Sequence, residues 1–219
     1  MSAGAASTIS LPELRDALRS ASERMLAARD ELCALDAVAG DGDLGATLAT
    51  GFTHAIEALD GPEGSGDASA LLTQIGAAMA RKAPSTIGAL LATAFIRGGQ
   101  ALDHASDLGP AQLAGMLAAG SAGVAERGRV TTGQRTVVDA MEPAAKAATA
   151  AAERGEGVPV VLRDAAIAAR AGAVATAEME PQVGRAGWIA DRARGSADAG
   201  AAAWATFLEA LADAVDGAV

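Results

Sequence analysis

Residues 35–45 read LDAVAGDGDLG and place three carboxylates around a short, glycine-rich turn. Asp41 and Asp43 are separated and flanked by glycines, and Asp36 lies upstream, inside an apolar helix. Carboxylates crowded in this way repel one another unless a cation lies among them. Hard oxygen ligands favour Mg²⁺ or Ca²⁺ over Zn²⁺, so the stretch predicts a helix, a turn that binds a divalent cation and a second helix.

The helix that follows this turn adds an anion-binding element. Residues 46–59 are predicted to be helical, and the backbone N–H groups at a helix start attract phosphate. Magnesium ligands beside such a helix start suit the polyphosphate of a nucleotide. The residues alone leave a second interpretation open, because Asp-Gly-Asp before a helix is also common as a solvated turn with an N-cap.

Two familiar binding motifs do not fit the stretch. An EF-hand loop that starts at Asp41 would place Phe52 where the bidentate glutamate belongs, and one that starts at Asp36 would place Thr47 there. The sequence contains no Gly-x-x-x-x-Gly-Lys-Ser/Thr P-loop. Any nucleotide is therefore expected to be held mainly through metal and helix ends.

The composition narrows the fold and the partners. A chain of 219 residues with 51% hydrophobic content suits one domain with an ample core. Aromatic residues make up only 2%, alanine dominates and β-branched residues are sparse, so the chain is expected to be all-α. The net charge of −10 argues against binding to nucleic acid or to an acidic membrane surface, whose phosphates would be repelled.

The same sequence predicts a cytoplasmic location. The single cysteine, Cys33, lies between leucines on a predicted helix and is expected to be a buried thiol rather than part of a disulfide. The longest apolar run, residues 88–96, is shorter than the ~20 residues that a membrane span needs. The N-terminus lacks a basic and apolar signal peptide, so neither secretion nor membrane insertion is expected.

The apolar periodicity predicts eight helices. The first begins at a capping box, Ser10 with Glu13, and carries leucines at spacings of three, four and seven through residue 35. The other seven are predicted at about residues 44–59, 67–81, 87–101, 110–126, 137–153, 159–179 and 199–215. Because the connections are mostly short, neighbouring helices should run antiparallel, as an up-and-down bundle or a closed helical barrel.

Three further connections are richer in glycine and polar residues than a simple connector requires. Residues 83–89 bring small residues to the start of the fourth helix, either to meet a phosphate or an adenine edge, or only as an N-cap. Residues 127–136 contain two glycines and three arginines, either for phosphate contact or simply solvated. Residues 184–200 form a connection long enough to be a functional loop, and the alternative for Asp198 is no more than an N-cap of the last helix.

Taken in order, these motifs resemble the nucleotide-binding subunit of dihydroxyacetone kinase. The motifs that carry the resemblance are Leu35-Asp36, Gly40-Asp41-Gly42-Asp43-x-Gly45, the start of the fourth helix, Gly133-x-x-Thr136-x-x-Asp139, Gly184-Arg185-Ala186 and Asp198-x-Gly200. The resemblance covers nearly the whole chain. It implies an eight-helix antiparallel barrel whose loops at one end hold ADP or ATP through two Mg²⁺ ions.

The resemblance also implies a role for each matching position. Asp36, Asp41 and Asp43 would bind the Mg²⁺ ions and, with the motif arginine Arg185, form the catalytic set. The residues that would contact the nucleotide are Leu44, Gly45, Ala46, Thr47, Thr86, Ile87, Gly88, Gly128, Val137, Arg185, Asp198, Ala199 and Gly200. In this group, residues 44–47 and 86–88 would approach the phosphates, while Gly128 and Val137 would lie near the base and ribose.

Four positions depart from the family's pattern. Leu44 stands where the family usually has histidine or threonine, Ile87 where it has serine, Arg135 where it has lysine, and Ala199 where it has proline. These changes suggest a divergent branch with another small ketose as acceptor. They leave the three metal carboxylates intact, so Mg²⁺-dependent nucleotide binding is expected to be retained.

The half of the family that binds dihydroxyacetone through a histidine has no counterpart in this chain, where His54 and His104 lie outside the motifs. A separate ketose-binding kinase subunit is therefore the expected partner. The phosphoryl donor is expected to be either free ATP or a phosphotransferase-system protein that rephosphorylates bound ADP. Two alternatives remain: a non-catalytic regulatory or scaffold protein that binds nucleotide, and a plain helical interaction module.

Overall fold

The computed structural model describes residues 8–61, 66–82, 85–103, 107–183 and 194–217. These ranges contain nine α-helices, one turn of 3₁₀-helix at Thr176–Glu178 and two short strands. The helices are α1 (Leu11–Ala27), α2 (Arg29–Ala39), α3 (Leu44–Asp60), α4 (Ala68–Lys82), α5 (Thr86–Gln100), α6 (Pro110–Gly128), α7 (Val138–Glu153), α8 (Val158–Ala175) and α9 (Ala199–Asp216). The predicted all-α class is confirmed.

Two details differ from the eight predicted helices. The first predicted helix is divided at Ala28, where ψ is near 0° while the backbone hydrogen bonds from Ala28 to Arg24 and from Leu32 to Ala28 continue. α1 and α2 are thus one helix bent at Ala28, and counting its two parts separately gives nine helices instead of eight. The seventh predicted helix ends at Ala175, and its last residues form the 3₁₀ turn instead.

The described residues also include a two-residue antiparallel pair, β1 (Ile9–Ser10) with β2 (Asp107–Leu108). The composition predicted no sheet, and this small two-stranded sheet is an exception to that prediction. Strands of two residues each are held by a few backbone hydrogen bonds, and these do not require a run of β-branched side chains. The pair joins the chain before α1 to the connection before α6.

The helices close into a ring. From α3 onward, each helix packs against the next one in the chain, and α9 packs back against α1. Because direction alternates around such a ring, the connections α2–α3, α4–α5, α6–α7 and α8–α9 all lie at one end of the barrel. These are the four connections that the sequence singled out, and this end is called the loop end below.

Close backbone approach between helices keeps the ring tight. At Gly76 on α4, an added Cβ would lie 2.7 Å from the carbonyl oxygen of Ala92 on α5. At Gly172 on α8, it would lie 2.1 Å from the carbonyl oxygen of Asp139 on α7. Alanine and glycine at such contacts let the helices pack backbone to backbone, so a core with few aromatic residues can still be dense.

The large side chains gather at the centre of the barrel. Phe207 on α9 stacks on Phe52 and on Trp204 and meets Phe95 edge to face, with ring centroids 5.5–5.8 Å apart. A cavity of about 30 Å³ next to this cluster is lined by apolar side chains, and none of the predicted site residues lines it. The barrel interior is therefore hydrophobic core, and the functional site is expected at the loop end. None of the helices within the described ranges has the length and apolarity that crossing a bilayer requires.

Candidate functional site

The three carboxylates of the α2–α3 turn come together at the loop end. Asp36 lies in the last turns of α2, and Asp41 and Asp43 lie in the connection that leads into α3. One oxygen from each carboxylate lies within 4.8 Å of the others. Asp36 is partly buried, while Asp41 and Asp43 are exposed. The turn thus presents three oxygen ligands to one point that solvent can reach.

Backbone N–H groups hold the Asp36 carboxylate in place. Its Oδ2 accepts a hydrogen bond from the Gly42 amide at 2.9 Å and another from the Leu44 amide at 3.4 Å. Gly42 has a φ of +78°, a conformation that glycine adopts readily and other residues adopt rarely. At Gly40, an added Cβ would lie 2.4 Å from Asp36 Oδ1. The two glycines are therefore required by the position of the carboxylate.

A third glycine fixes where α3 begins. A Cβ at Gly45 would lie 2.0 Å from the carbonyl oxygen of Arg29 and 2.9 Å from the backbone nitrogen of Cys33, both on α2. The first turn of α3 therefore packs directly on the α2 backbone. This contact brings the start of α3 next to the carboxylates on the turn.

The donor set fits a hard divalent cation. All three ligands are carboxylates, and three negative charges within 4.8 Å repel one another strongly unless a cation neutralises them. Neither histidine nor cysteine belongs to the cluster, so its chemistry favours Mg²⁺ or Ca²⁺ over Zn²⁺.

The start of α3 offers fewer amides for an anion than the sequence suggested. The Leu44 amide already donates to Asp36, and the Thr47 amide donates to the carbonyl of Asp43 at 2.9 Å. The amides of Gly45 and Ala46 belong to the first helical turn, where N–H groups have no partner within the helix. Of the predicted phosphate contacts at this turn, these two amides and the Thr47 hydroxyl are the groups best placed for the role.

The start of α5 is capped by a serine side chain. Ser85 Oγ accepts a hydrogen bond from the Gly88 amide at 3.0 Å, as the N-cap interpretation predicts. The Gly88 amide, predicted to face a phosphate, is therefore engaged within the protein. Thr86 is exposed and Ile87 is partly buried, and both lie in the first turn of α5. Residues 83 and 84 lie outside the described ranges.

Three of the four connections meet around Gly200, at the start of α9. A Cβ at Gly200 would lie 3.1 Å from Asp198 Oδ1, 3.3 Å from Ile87 Cδ1 and 3.5 Å from Val137 Cβ. The sequence motifs that carry these residues are more than a hundred residues apart at their extremes, and the ring brings them into contact. This contact of Ile87, Val137 and Gly200 is called the Gly200 wall below.

Gly128 lies at the same end of the barrel, where α6 ends. The nearest side chains to an added Cβ there are Val130 at 3.2 Å and Leu90 of α5 at 3.7 Å. Arg129, the residue that follows, has a φ of +53° and is exposed, as is Arg127. The end of α6 therefore combines a small apolar contact on α5 with two exposed cations.

Asp198 caps α9, as the sequence allowed. Its Oδ1 accepts from the Ala201 amide at 2.8 Å, and its own amide donates to Thr176 Oγ1 at 2.7 Å. Burial raises the pKa of Asp198 to about 6; the Ala201 hydrogen bond and the charge of Arg135 oppose this, and the Asp139 charge adds to it. Ala199 is the first residue of α9, a position where the family's proline would also fit a helix start.

The α6–α7 loop is organised from inside by Asp139, a residue to which the sequence assigned no separate role. Asp139 is 1% exposed, and its carboxylate accepts from the amides of Gly133 and Thr136. Gly133 takes a φ of +94° to make this turn. The spacing Gly133-x-x-Thr136-x-x-Asp139 is the signal that could have revealed this role, because it places the carboxylate three residues after the Thr136 amide, as in a capping box, and six after the Gly133 amide.

Arg135 does not match the expectation for an arginine in this loop. The sequence suggested phosphate contact or solvation, but the side chain is 4% exposed and points inward. Its Nε donates to the carbonyl of Thr176 at 3.1 Å, and its Nη2 donates to the carbonyl of Ser196 at 2.8 Å. No local sequence feature distinguishes it from Arg127 and Arg129, because its partners lie more than 40 residues away. Arg185 lies outside the described residues, as do all of residues 184–193.

The sequence profile of the DAK2 domain family matches residues 38–213 of the chain. The match includes Asp41 and Asp43, and it begins shortly after Asp36. It also spans all four connections at the loop end, and of the three carboxylates only Asp36 lies outside it.

Among characterised relatives, the chain is 30% identical over 181 residues to the PEP-dependent dihydroxyacetone kinase, ADP-binding subunit DhaL, of Escherichia coli. That comparison covers 83% of this chain and 86% of the subunit. The chain is also 33% identical over 196 residues to the L-erythrulose kinase of Pectobacterium atrosepticum and 33% identical over 195 residues to the D-erythrulose kinase of Mycolicibacterium smegmatis. These comparisons cover 89% and 88% of this chain but only 33% of each kinase, so the chain spans about one third of their length.

Solved structures share the fold. The native dihydroxyacetone kinase of C. freundii superposes with a TM-score of 0.72 and 25% identity over 91% of this chain and 34% of that one. The same kinase in complex with AMP-PNP and Mg²⁺ gives a TM-score of 0.70 and 26% identity over 91% of this chain and 33% of that one.

Proposed function

The chain belongs to the DAK2 domain family, and from this membership we propose that it is the ADP- or ATP- and Mg²⁺-binding component of a dihydroxyacetone-type kinase. The observation that carries the proposal is the convergence of Asp36, Asp41 and Asp43 at the start of α3. A related kinase has been solved with AMP-PNP and Mg²⁺, which supports this choice of ligands. We propose that the whole chain forms one nucleotide-binding domain and acts in the cytoplasm.

In this proposal, Asp36, Asp41 and Asp43 hold two Mg²⁺ ions. When bound, these ions supply charge neutralisation at the β- and γ-phosphates. The Gly45 and Ala46 amides and the Thr47 hydroxyl orient the phosphates from the start of α3. This proposal requires no side chain to act as a covalent nucleophile.

Of the remaining predicted contacts, residues 86–88 are assigned to the phosphates, and Gly128 and Val137 to the base and ribose. The Gly200 wall and Gly128 offer a surface of small and apolar groups at the loop end. We propose that the base and ribose lie against this surface, with the polyphosphate directed towards the carboxylates. Arg185 completes the catalytic set in the proposal, as the resemblance implies.

The acceptor is proposed to be a small ketose held by a separate substrate-binding subunit. Relatives named as L- and D-erythrulose kinases support a small ketose. The relative named as an ADP-binding subunit, 86% of which the comparison covers, supports a component that works with another protein. Because that relative is named as PEP-dependent, the proposed phosphoryl donor is either a phosphotransferase-system protein or free ATP.

Two departures favour one alternative, a non-catalytic nucleotide-binding regulator or scaffold. Ile87 and Leu44 bring apolar side chains to positions where the family has polar ones. The Ile87 side chain packs close to Gly200 in the Gly200 wall. Retention of three mutually repelling carboxylates favours catalysis, because a protein without metal chemistry would be more stable without them.

Phosphoryl transfer separates the two functions. The chain is mixed with the ketose-binding subunit of a dihydroxyacetone kinase, Mg²⁺-ATP and either dihydroxyacetone or erythrulose, and the phosphorylated ketose is measured. Ketose phosphate that forms with wild type and not with Asp43→Asn supports the kinase. Tight Mg²⁺-nucleotide binding without any product from either ketose, by a preparation in which a DhaL control is active, supports the regulator. Nucleotide that survives extensive dialysis favours the relay donor over free ATP.

A further inference from the structure

Arg135 is a buried cation to which the proposed function assigns no role. Among the described residues it is the only arginine or lysine that is fully buried, at 4% exposure. Its backbone also adopts a φ of +60°, a left-handed conformation that is unfavourable for a residue with a side chain. Such a conformation persists where the surrounding structure requires it. A buried guanidinium with a strained backbone therefore indicates a specific structural task.

The contacts of Arg135 define that task. Its Nε and Nη2 donate to the carbonyl oxygens of Thr176 and Ser196, which lie just after α8 and just before α9. One planar guanidinium thus joins both ends of the α8–α9 connection. The Thr176 hydroxyl in turn accepts the amide of Asp198, so the tie continues to the cap of α9.

The same residue reaches the Gly200 wall from two directions. Along the chain, Arg135 lies two residues before Val137. Through its side chain and Thr176, it holds the Asp198 cap, from which Gly200 follows two residues later. Ile87, the third member of the wall, comes from α5 and has no bond to this tie. Arg135 consequently sets two of the three parts of the wall.

We propose that Arg135 is a positioning residue for nucleotide binding, which holds Val137 and Gly200 in register at the wall by tying the two ends of the α8–α9 connection together. The role is positional because the guanidinium is buried and donates to the backbone carbonyl oxygens of Thr176 and Ser196. This inference rests on the proposed nucleotide site. It assigns a function to a position where the resembled family carries lysine.

The choice of variants follows from the geometry. Arg135→Met keeps an unbranched chain but removes the charge and every donor. Arg135→Lys keeps the charge and can still donate to one of the two carbonyls, although not in the same fork. Arg127→Met is the matched control, because Arg127 is an exposed arginine at the same end of the barrel.

Nucleotide affinity is the first measurement, by calorimetric titration of Mg²⁺-ADP at a temperature well below the unfolding midpoint of every variant. The dissociation constant is expected to rise at least tenfold in Arg135→Met, less than about threefold in Arg135→Lys, and less than twofold in Arg127→Met. Rescue by lysine separates positioning from simple packing. A dissociation constant within twofold of wild type in folded Arg135→Met would overturn the inference. If Arg135→Met does not fold, Arg135→Gln takes its place, because its side chain keeps a polar end but is too short to join the two carbonyls: a rise of at least tenfold supports the inference, and a dissociation constant within twofold of wild type overturns it.

Hydrogen exchange tests the tie without any nucleotide. The Asp198 amide, which donates to Thr176 Oγ1, is expected to exchange at least tenfold faster in Arg135→Met than in wild type and less than about threefold faster in Arg135→Lys, while amides in the middle of α4 are unchanged. Unchanged exchange at Asp198 would overturn the tie itself. If wild type binds no Mg²⁺-ADP, the proposed function fails, and this second measurement still decides whether Arg135 joins the two ends.

Discussion

Gly45 allows α3 to touch α2 through backbone alone. A Cβ at this position would lie 2.0 Å from the Arg29 carbonyl oxygen, which neither backbone can easily avoid. The consequence for the site is direct, because this contact places the start of α3 beside Asp36 and Asp43. At the residue scale, glycines determine the site geometry as much as the carboxylates do.

Replacement of Gly45 by alanine is expected to lower the free energy of unfolding by about 1–3 kcal/mol, the usual range for overpacking a tight contact. Gly115→Ala is the matched control, since Gly115 also lies in a helix but an added Cβ meets nothing within 4 Å. That control should be neutral or stabilising by up to about 1 kcal/mol. Urea unfolding of the three proteins measures both effects, and equal stabilities would refute the close contact.

Asp198 gives the stability a specific pH dependence. Because its pKa is raised to about 6 in the fold from an ordinary value of 3.8, the fold favours the neutral carboxyl. This contribution to stability is fully present below about pH 4 and is lost as the pH rises through about 6. Asp198→Asn keeps an acceptor for the Ala201 amide but does not titrate. The variant should therefore gain on wild type by on the order of 1–2 kcal/mol between pH 4 and pH 7.5, allowing for the partial exposure of the group.

Unfolding of both proteins in urea across that pH range provides the test. The difference in the free energy of unfolding should grow with pH up to about 7 and then level off. A difference that is the same at every pH would mean that burial does not favour the neutral form of Asp198.

At the scale of elements, the candidate site lies at the starts of the helices at the loop end. At each of three helix starts, a side-chain oxygen accepts a hydrogen bond from a backbone amide. Asp36 accepts the amides of the turn before α3, Ser85 caps α5, and Asp198 caps α9. Because α4–α5 and α8–α9 meet at the Gly200 wall, a cap that stabilises one helix also positions its neighbour. Local capping and the geometry of the site are thus linked.

Ser85→Ala removes the side-chain acceptor of the Gly88 amide and is expected to lower the free energy of unfolding by about 1 kcal/mol. Thr86→Ala, one residue further on, changes an exposed side chain and should stay within about 0.5 kcal/mol of wild type. Ser85→Asp should retain most of the stability, because aspartate also caps helices well. Thermal and urea unfolding measure all three, and a wild-type stability for Ser85→Ala would show that the cap contributes nothing.

Much of this element-level structure could be predicted from local sequence. The capping box at Ser10 and Glu13 is confirmed, as are the helix starts at Leu44, Pro110 and Ala199. These signals are local, so they survive in any tertiary context. The inward position of Arg135 and the engaged Gly88 amide could not be predicted in the same way. The first depends on partners more than 40 residues away, and the second on a choice between ligand and cap that sequence leaves open.

At the scale of the whole molecule, closure of the ring brings the four connections to one end. This arrangement follows from alternating helix direction around a ring of eight helices, with α1 and α2 counted as one bent helix. The sequence could therefore predict it from the number and order of the helices. The close contacts at Gly76 and Gly172 could not be read from composition, because alanine-rich helices pack in several registers. The few aromatic side chains pack together at the centre of the barrel, where Phe207 contacts three other rings.

Phe207→Ala should therefore lower the free energy of unfolding by about 3–5 kcal/mol, the usual loss for a buried phenylalanine. Ile167→Ala is the control, since Ile167 is a large apolar residue that is 63% exposed on α8, and its effect should stay within about 0.5 kcal/mol. Chemical denaturation gives both values. A small effect of Phe207→Ala would mean that the aromatic cluster does not hold the barrel together.

Thermal unfolding shows whether the loop end binds Mg²⁺-nucleotide through the three carboxylates. Nucleotide-free protein is heated with ADP or ATP, with and without Mg²⁺, beside Asp41→Ala. At nucleotide concentrations of about 100 times the dissociation constant, binding adds ~2.7 kcal/mol to the stability of a folded protein. For a chain of this size that corresponds to a rise in the midpoint of roughly 5–10 °C. Wild type is expected to show this rise only when Mg²⁺ and nucleotide are both present, and Asp41→Ala is expected to lose it. An unchanged wild-type midpoint, or an equal rise in Asp41→Ala, would contradict Mg²⁺-nucleotide binding through the three carboxylates.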